Sequence, residues 1–277
     1  MEQTSYDSDL KPVLIIPALS ESDMDYKDII FVLPNHTVCF TPRGRELSDA
    51  PESGYSVQDH ANDIIDAIKY FKLEEIIVVA YSRGVAYFLQ AFSEIKDKIL
   101  GIILMEYPAQ YEAHPQDWAK NFLNSSWRSM PVKERFPKPW VLEKIEQEAV
   151  SVNLWDKLLE MKCPISLFVG HAQYSDPVLV STKMTDEIVK KYKFYLPQLK
   201  VVDFPESGHD LRIWEYEKFV SELKKFISDV TPRTKRMIEE EKKREKEERK
   251  NPKKEPKKNQ EKKTLYGYNK KKLIKLN

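Results

Sequence analysis

Two cysteines in 277 residues, Cys39 and Cys163, are too few for a disulfide framework. Each lies in or beside an apolar strand-like run and reads as a small buried hydrophobe. No ligand cluster with zinc spacing is present, so no metal site is expected. No apolar run approaches the roughly 20 residues that a membrane helix needs. The start, M-E-Q-T-S-Y-D-S-D, has neither a positive n-region nor an apolar h-region, and the expectation is a soluble, cytoplasmic protein.

What is present suits one large α/β unit, with 41% hydrophobic and 32% charged residues in a chain long enough to bury a sizeable core. The net charge of +1 conceals two unlike parts. Residues 231–277 carry 19 Lys+Arg against 8 Asp+Glu, a net of +11, whereas residues 1–230 carry 26 against 36, a net of −10. An acidic globular domain followed by a basic tail is expected. In the tail, Glu239 with Lys243 and Glu240 with Arg244 stand at helix-supporting spacing. From Asn251 onward, prolines and scarce apolar residues argue for disorder. Such a tail can hold polyanions, either nucleic acid or an anionic membrane surface, by screened electrostatics. A solvated tail with no dedicated partner is the plainer reading.

The domain is organised around Glu74 to Gln90, E-E-I-I-V-V-A-Y-S-R-G-V-A-Y-F-L-Q. Ile76 to Ala80 reads as a strand buried on both faces, and Val85 to Phe92 resumes at helical spacing. A sharp turn must lie between them, with Ser82 at its apex and small residues, Ala80 and Gly84, two positions to either side. A helix N-cap is the bland reading of such a serine. Further strands are expected at Lys11–Ile16, Thr37–Phe40, Ile99–Glu106, Cys163–Val169 and Leu199–Phe204, with helices at Asp28–Leu33 and Thr182–Tyr195. Ser56 caps a helix over Val57–Phe71, with Asp59 as capping partner and Ala61, Ile64, Ile65 and Ile68 as its apolar stripe. Arg43, beside Glu46, Asp49 and Glu52, reads as a structural salt-bridging residue. Residues 107–160 hold four of the five tryptophans, Trp118, Trp127, Trp140 and Trp155, and prolines at 131, 137 and 139 cut their helical pieces short. His36, His60, His114 and His171 read as surface or loop residues.

Four stretches in this order resemble the α/β-hydrolase family. A-Y-S-R-G at 80–84 is similar to its nucleophile elbow G-x-S-x-G. The run from Pro42 to His60, P-R-G-R-E-L-S-D-A-P-E-S-G-Y-S-V-Q-D-H, resembles the family loop R-G-x-G-x-S-x-x-P-x-x-G-Y-S. G-H-D-L-R-I-W-E-Y-E-K-F at 208–219 resembles G-H-x-x-x-x-E-x-P-E-x-F, and Pro17-Ala18-Leu19 stands where the family has His-Gly and one residue more. The resemblance implies a mostly parallel sheet with helices on both faces, built from 1–106 and 161–230. It also implies a small helical cap at 107–160, with the tail at 231–277.

For function, the resemblance implies a serine hydrolase, esterase-like, that forms an acyl-enzyme on Ser82 with His209 as base. Leu19 and Arg83 supply backbone N–H groups to the oxyanion. The acid follows the strand ending at Gly170 in most members; Gln173 stands at the usual offset, and the first carboxylate is Asp176. Some members place it one strand earlier, which here is Glu106, so Asp176 is favoured and Glu106 is the alternative. No metal or organic cofactor is needed for this chemistry. The cap aromatics imply a small substrate, an apolar acyl or aryl ester. Two other readings share the residues: peptide-bond or carbon–carbon bond hydrolysis on the same scaffold, and a catalytically inactive ligand-binding or scaffold protein.

Overall fold

The computed structural model describes residues 7, 9–128, 130–175 and 180–231. Asp176 and the basic tail from residue 232 onward lie outside the described residues. Six strands form one parallel sheet: β1 (Val13–Ile16), β2 (Thr37–Cys39), β3 (Ile76–Tyr81), β4 (Ile99–Met105), β5 (Ile165–Gly170) and β6 (Lys200–Phe204). Their spatial order is β6-β5-β4-β3-β1-β2. The elbow strand β3 is therefore central, flanked by β1 and β4, with Ala80 level with Ile16 on one side and Leu104 on the other.

Alternate residues along each strand point to opposite faces. Leu14, Val78, Ile102 and Leu104 feed one apolar cluster, and Val13, Ile77, Val79 and Ile103 feed the other. Both faces are covered, which is why the strands read as unbroken apolar runs rather than alternating ones. Helices α1 (Lys27–Val32) and α8 (Tyr216–Val230) cover one face through Ile29, Ile30, Phe219 and Leu223. Helices α2 (Val57–Tyr70), α3 (Arg83–Ile95) and α7 (Asp186–Tyr195) cover the other. The α2 N-terminus carries the expected capping box: Ser56 Oγ accepts from Asp59 N–H at 3.2 Å, and Ser56 N–H donates to Asp59 Oδ2 at 3.0 Å.

Between β4 and β5 the chain leaves the sheet. It forms α4 (Trp118–Leu123), α5 (Val132–Arg135) and α6 (Trp140–Glu148), with two antiparallel strand pairs, Gln110–Tyr111 with Val152–Asn153 and Ser126–Trp127 with Met130–Pro131. This segment has a small core of its own, where Val132, Phe136, Val141, Leu142 and Ile145 pack with Tyr55 of the loop before α2. A buried ionic cluster ties it to the sheet loops. Arg128 contacts Glu21 at 2.5 Å, Asp25 at 3.2 Å and Asp210 at 2.5 Å, while Arg135 reaches Asp25 at 2.5 Å and Glu46 at 3.0 Å. Among the described residues, no helix is long and apolar enough to cross a membrane. Cys39 is buried as expected, whereas Cys163 is only half-buried.

Candidate active site

Ser82 joins β3 to α3 with φ 52° and ψ −130°, a left-handed conformation that a side chain adopts at a cost of about 1–3 kcal/mol. Its N–H bonds Met105 C=O at 2.8 Å and its C=O accepts from Val85 N–H at 2.9 Å, so strand and helix hold the turn from both sides. Gly84 permits the close approach: a Cβ there would lie 2.6 Å from Pro17 O and 2.7 Å from Ile16 O, both backbone atoms of the end of β1. The side chain of Ser82 makes no capping bond to α3. Its Oγ instead lies 2.8 Å from His209 Nε2.

His209 sits on the loop after β6 and is 5% exposed. Its N–H donates to Val180 C=O at 2.9 Å, and its own C=O accepts from the Tyr81 hydroxyl at 2.8 Å. Nδ1 stands 3.2 Å from Glu106 Oε2. Glu106 follows β4 at φ 56° and is wholly buried. Four donors converge on its two oxygens: Gly170 N–H at 2.6 Å, the Thr182 hydroxyl at 3.0 Å, Lys183 N–H at 3.0 Å and His209 Nδ1. Glu106, the alternative acid expected from the sequence, thus stands beside the imidazole, whereas Asp176, favoured there, lies outside the described residues. The helix expected from Thr182 begins at Asp186, because Thr182 turns to Glu106 and Thr185 caps α7 through Ile188 N–H.

The loop after β1 is pinned despite its Pro17-Ala18. Arg45, fully buried, donates from Nε to Leu19 C=O at 3.0 Å, and Ala18 N–H donates to Glu21 Oε2 at 3.0 Å. Arg45 is steadied in turn by His60, whose Nε2 is 3.0 Å from Arg45 Nη1 and whose ring stacks on Tyr87 at 4.2 Å. His60 is therefore a core residue rather than the surface residue expected, and burial, with Arg45 next, holds its pKa well below the ordinary histidine value. Arg43 is structural as expected, though its partners are Asp63, at 2.5 Å, and Gly54 C=O.

Leu19, Ser82, Arg83 and His209 border one cavity of about 580 Å³, closed on other sides by Tyr107, Trp118 and Phe122. His114, on a loop as expected, also lines it. Its Nε2 is 2.6 Å from Arg83 Nη1 and its ring stacks on Trp118 at 3.5 Å. Burial, and then the Arg83 charge, push its pKa down to about 3, so it is neutral at pH 7 and accepts from the guanidinium. Sequence reasoning missed Thr182, Lys183 and His114. A Ser/Thr-rich loop after the Gly170 strand was the only signal for the first, and nothing local marks the last.

No family model matches the chain. Its fold is that of the α/β-hydrolases. An esterase from a Rhodococcus species superposes with a TM-score of 0.65 at 16% identity, over 83% of this chain and 94% of that one. An enol-lactonase from Burkholderia xenovorans gives 0.65 at 12% identity, over 82% and 96%. In sequence, the 2-(acetamidomethylene)succinate hydrolase of Mesorhizobium japonicum is 28% identical over 81 residues, which span 29% of this chain and 29% of that relative.

Proposed function

We propose that this chain is a serine hydrolase that cleaves an ester, or a related acyl bond, of a small substrate through an acyl-enzyme on Ser82. The observation that carries the reading is the run of contacts from Ser82 Oγ to His209 Nε2 at 2.8 Å and from His209 Nδ1 to Glu106 Oε2 at 3.2 Å, at the wall of a cavity. His209 takes the Ser82 proton as Oγ attacks the acyl carbon, then returns it to the leaving group. Glu106 keeps the proton-bearing Nδ1 toward itself and balances the imidazolium. The N–H groups of Leu19 and Arg83 hold the oxyanion, each donor being worth about 3 kcal/mol. Water then enters, His209 acts as base again, and the acid leaves.

The substrate is small, with an apolar acyl or aryl body, which the Trp118, Phe122 and Ile188 side chains of the cavity suit by area burial. Hydrolases and lactonases share this fold, so the bond type follows from chemistry at the site and not from the scaffold. Peptide-bond or carbon–carbon bond hydrolysis would use the same Ser82 and His209. An inactive binding protein would not need a strained serine bonded to a histidine.

A fluorophosphonate probe tests the reading. Wild-type protein labels at Ser82, whereas Ser82→Ala and His209→Ala lose labelling and hydrolysis of 4-nitrophenyl butyrate while far-ultraviolet circular dichroism stays unchanged. An unlabelled wild-type chain with intact fold would assign the protein to the binding class.

A further inference from the structure

Resting on that hydrolase reading, we propose that the substrate carries a carboxylate, and that the Arg83 guanidinium binds it beside the nucleophile. Arg83 is 7% exposed and lines the cavity that holds Ser82. Other buried arginines of this chain meet acids: Arg128 and Arg212 meet Glu21, and Arg135 meets Asp25. Arg45, which is not part of the cavity lining, also meets no acid among the described residues, and its donors go to the carbonyls of Leu19 and Arg43 and to His60. Arg83 differs in facing the cavity. Its neighbours are the neutral acceptor His114, at 2.6 Å, the hydrogen-bonded Tyr107 hydroxyl, and the face of Tyr111, 4.7 Å from the guanidinium carbon. No carboxylate among the described residues pairs with it.

A guanidinium taken out of water without a counter-charge is costly, and one that faces a cavity can gain that charge from a ligand. The cavity lining repeats the sign: Lys183 adds a second cation, and the single lining carboxylate other than any substrate's is Glu112, which is exposed and takes a hydrogen bond from Gln110. His114, its ring stacked on Trp118, accepts from Nη1, and the guanidinium N–H groups that His114 and Tyr107 leave over are the ones a carboxylate would take. The apolar lining then holds the hydrocarbon body, and Arg83 holds its charged end.

The test compares 4-nitrophenyl hemiadipate with 4-nitrophenyl hexanoate, equal in acyl length and different only in the carboxylate, on the full chain. The oxyanion N–H of residue 83 serves both esters, so their ratio isolates the side chain. The wild type is expected to prefer the hemiadipate by at least about tenfold in kcat/KM, mainly through KM, and Arg83→Gln is expected to lower that ratio roughly ten- to hundredfold, with Arg83→Lys in between. Calorimetric titration with adipate against adipamide reads the same preference without catalysis. Should the two esters be turned over alike by wild type and Arg83→Gln, with adipate binding no better than adipamide, the carboxylate site is overturned even where Ser82 still labels. Should Ser82 fail to label while adipate binds through Arg83, the hydrolase reading falls and the anion site stands.

Discussion

Replacing Glu106 by glutamine probes the proton path most sharply, because shape is kept and only one oxygen becomes an amide nitrogen. Both oxygens now face donors: Oε1 takes Gly170 N–H and the Thr182 hydroxyl, and Oε2 takes Lys183 N–H and His209 Nδ1. Either orientation of the amide therefore sets an NH₂ against a donor. Turned toward Gly170, it loses a 2.6 Å bond in a wholly buried place. Turned toward His209, it donates to Nδ1 and leaves the proton on Nε2, the tautomer that cannot accept from Ser82. In both cases the charge that balances the imidazolium is gone. A change of this kind costs roughly 10⁴ in turnover, or about 5 kcal/mol of barrier. The assay is kcat for 4-nitrophenyl butyrate, with fluorophosphonate labelling rate as a second readout and thermal melting to show that the variant is folded. Asp176→Asn is expected to keep most of its activity. If folded Glu106→Gln retained more than a tenth of wild-type kcat, or if Asp176→Asn were the crippled variant, the assignment of the acid to Glu106 would be refuted.

Removing the central arginine of the ionic cluster, Arg128→Met, leaves Glu21, Asp25 and Asp210 short of a cation. The expected loss is about 3–5 kcal/mol, seen as a Tm lower by roughly 10 °C in calorimetry, and an unchanged Tm would mean that the cluster adds nothing to stability. Acid should also destabilise the fold before its carboxylates titrate. His114 has its pKa lowered from 6.5 to about 3 by burial and then by Arg83, so between those values the unfolded chain binds a proton that the folded chain refuses. Stability contributed by neutral His114 is therefore full above about pH 6.5 and is lost as pH falls, by about 1 kcal/mol at pH 5 once partial exposure is discounted. Urea midpoints at pH 7 and pH 5 measure this, and His114→Asn should flatten the difference; an equal slope in the variant would remove His114 as its source.

Local pattern sufficed for the sheet and for half of the candidate site. Ile76–Ala80 and Ile99–Glu106 are unbroken apolar runs because both faces are covered, and that burial is written into composition residue by residue. The elbow was legible because a strained serine needs small neighbours, and the Ser56–Asp59 capping box because both partners lie within one helical turn. What the sequence left open was each feature made by residues far apart in the chain. Asp176 and Glu106 both follow strands, and only the tertiary structure brings Glu106, 103 residues before His209, against Nδ1 through a positive φ that no propensity favours in glutamate. His114 and His60 looked alike as isolated polar residues, and their burial beside Arg83 and Arg45 follows from how the segment after β4 and the loop after β2 close over the sheet. Short-range chemistry thus determined the strands, the caps and the serine turn. Packing decided which charges face one another, because a side chain's partner depends on distances that sequence spacing does not encode.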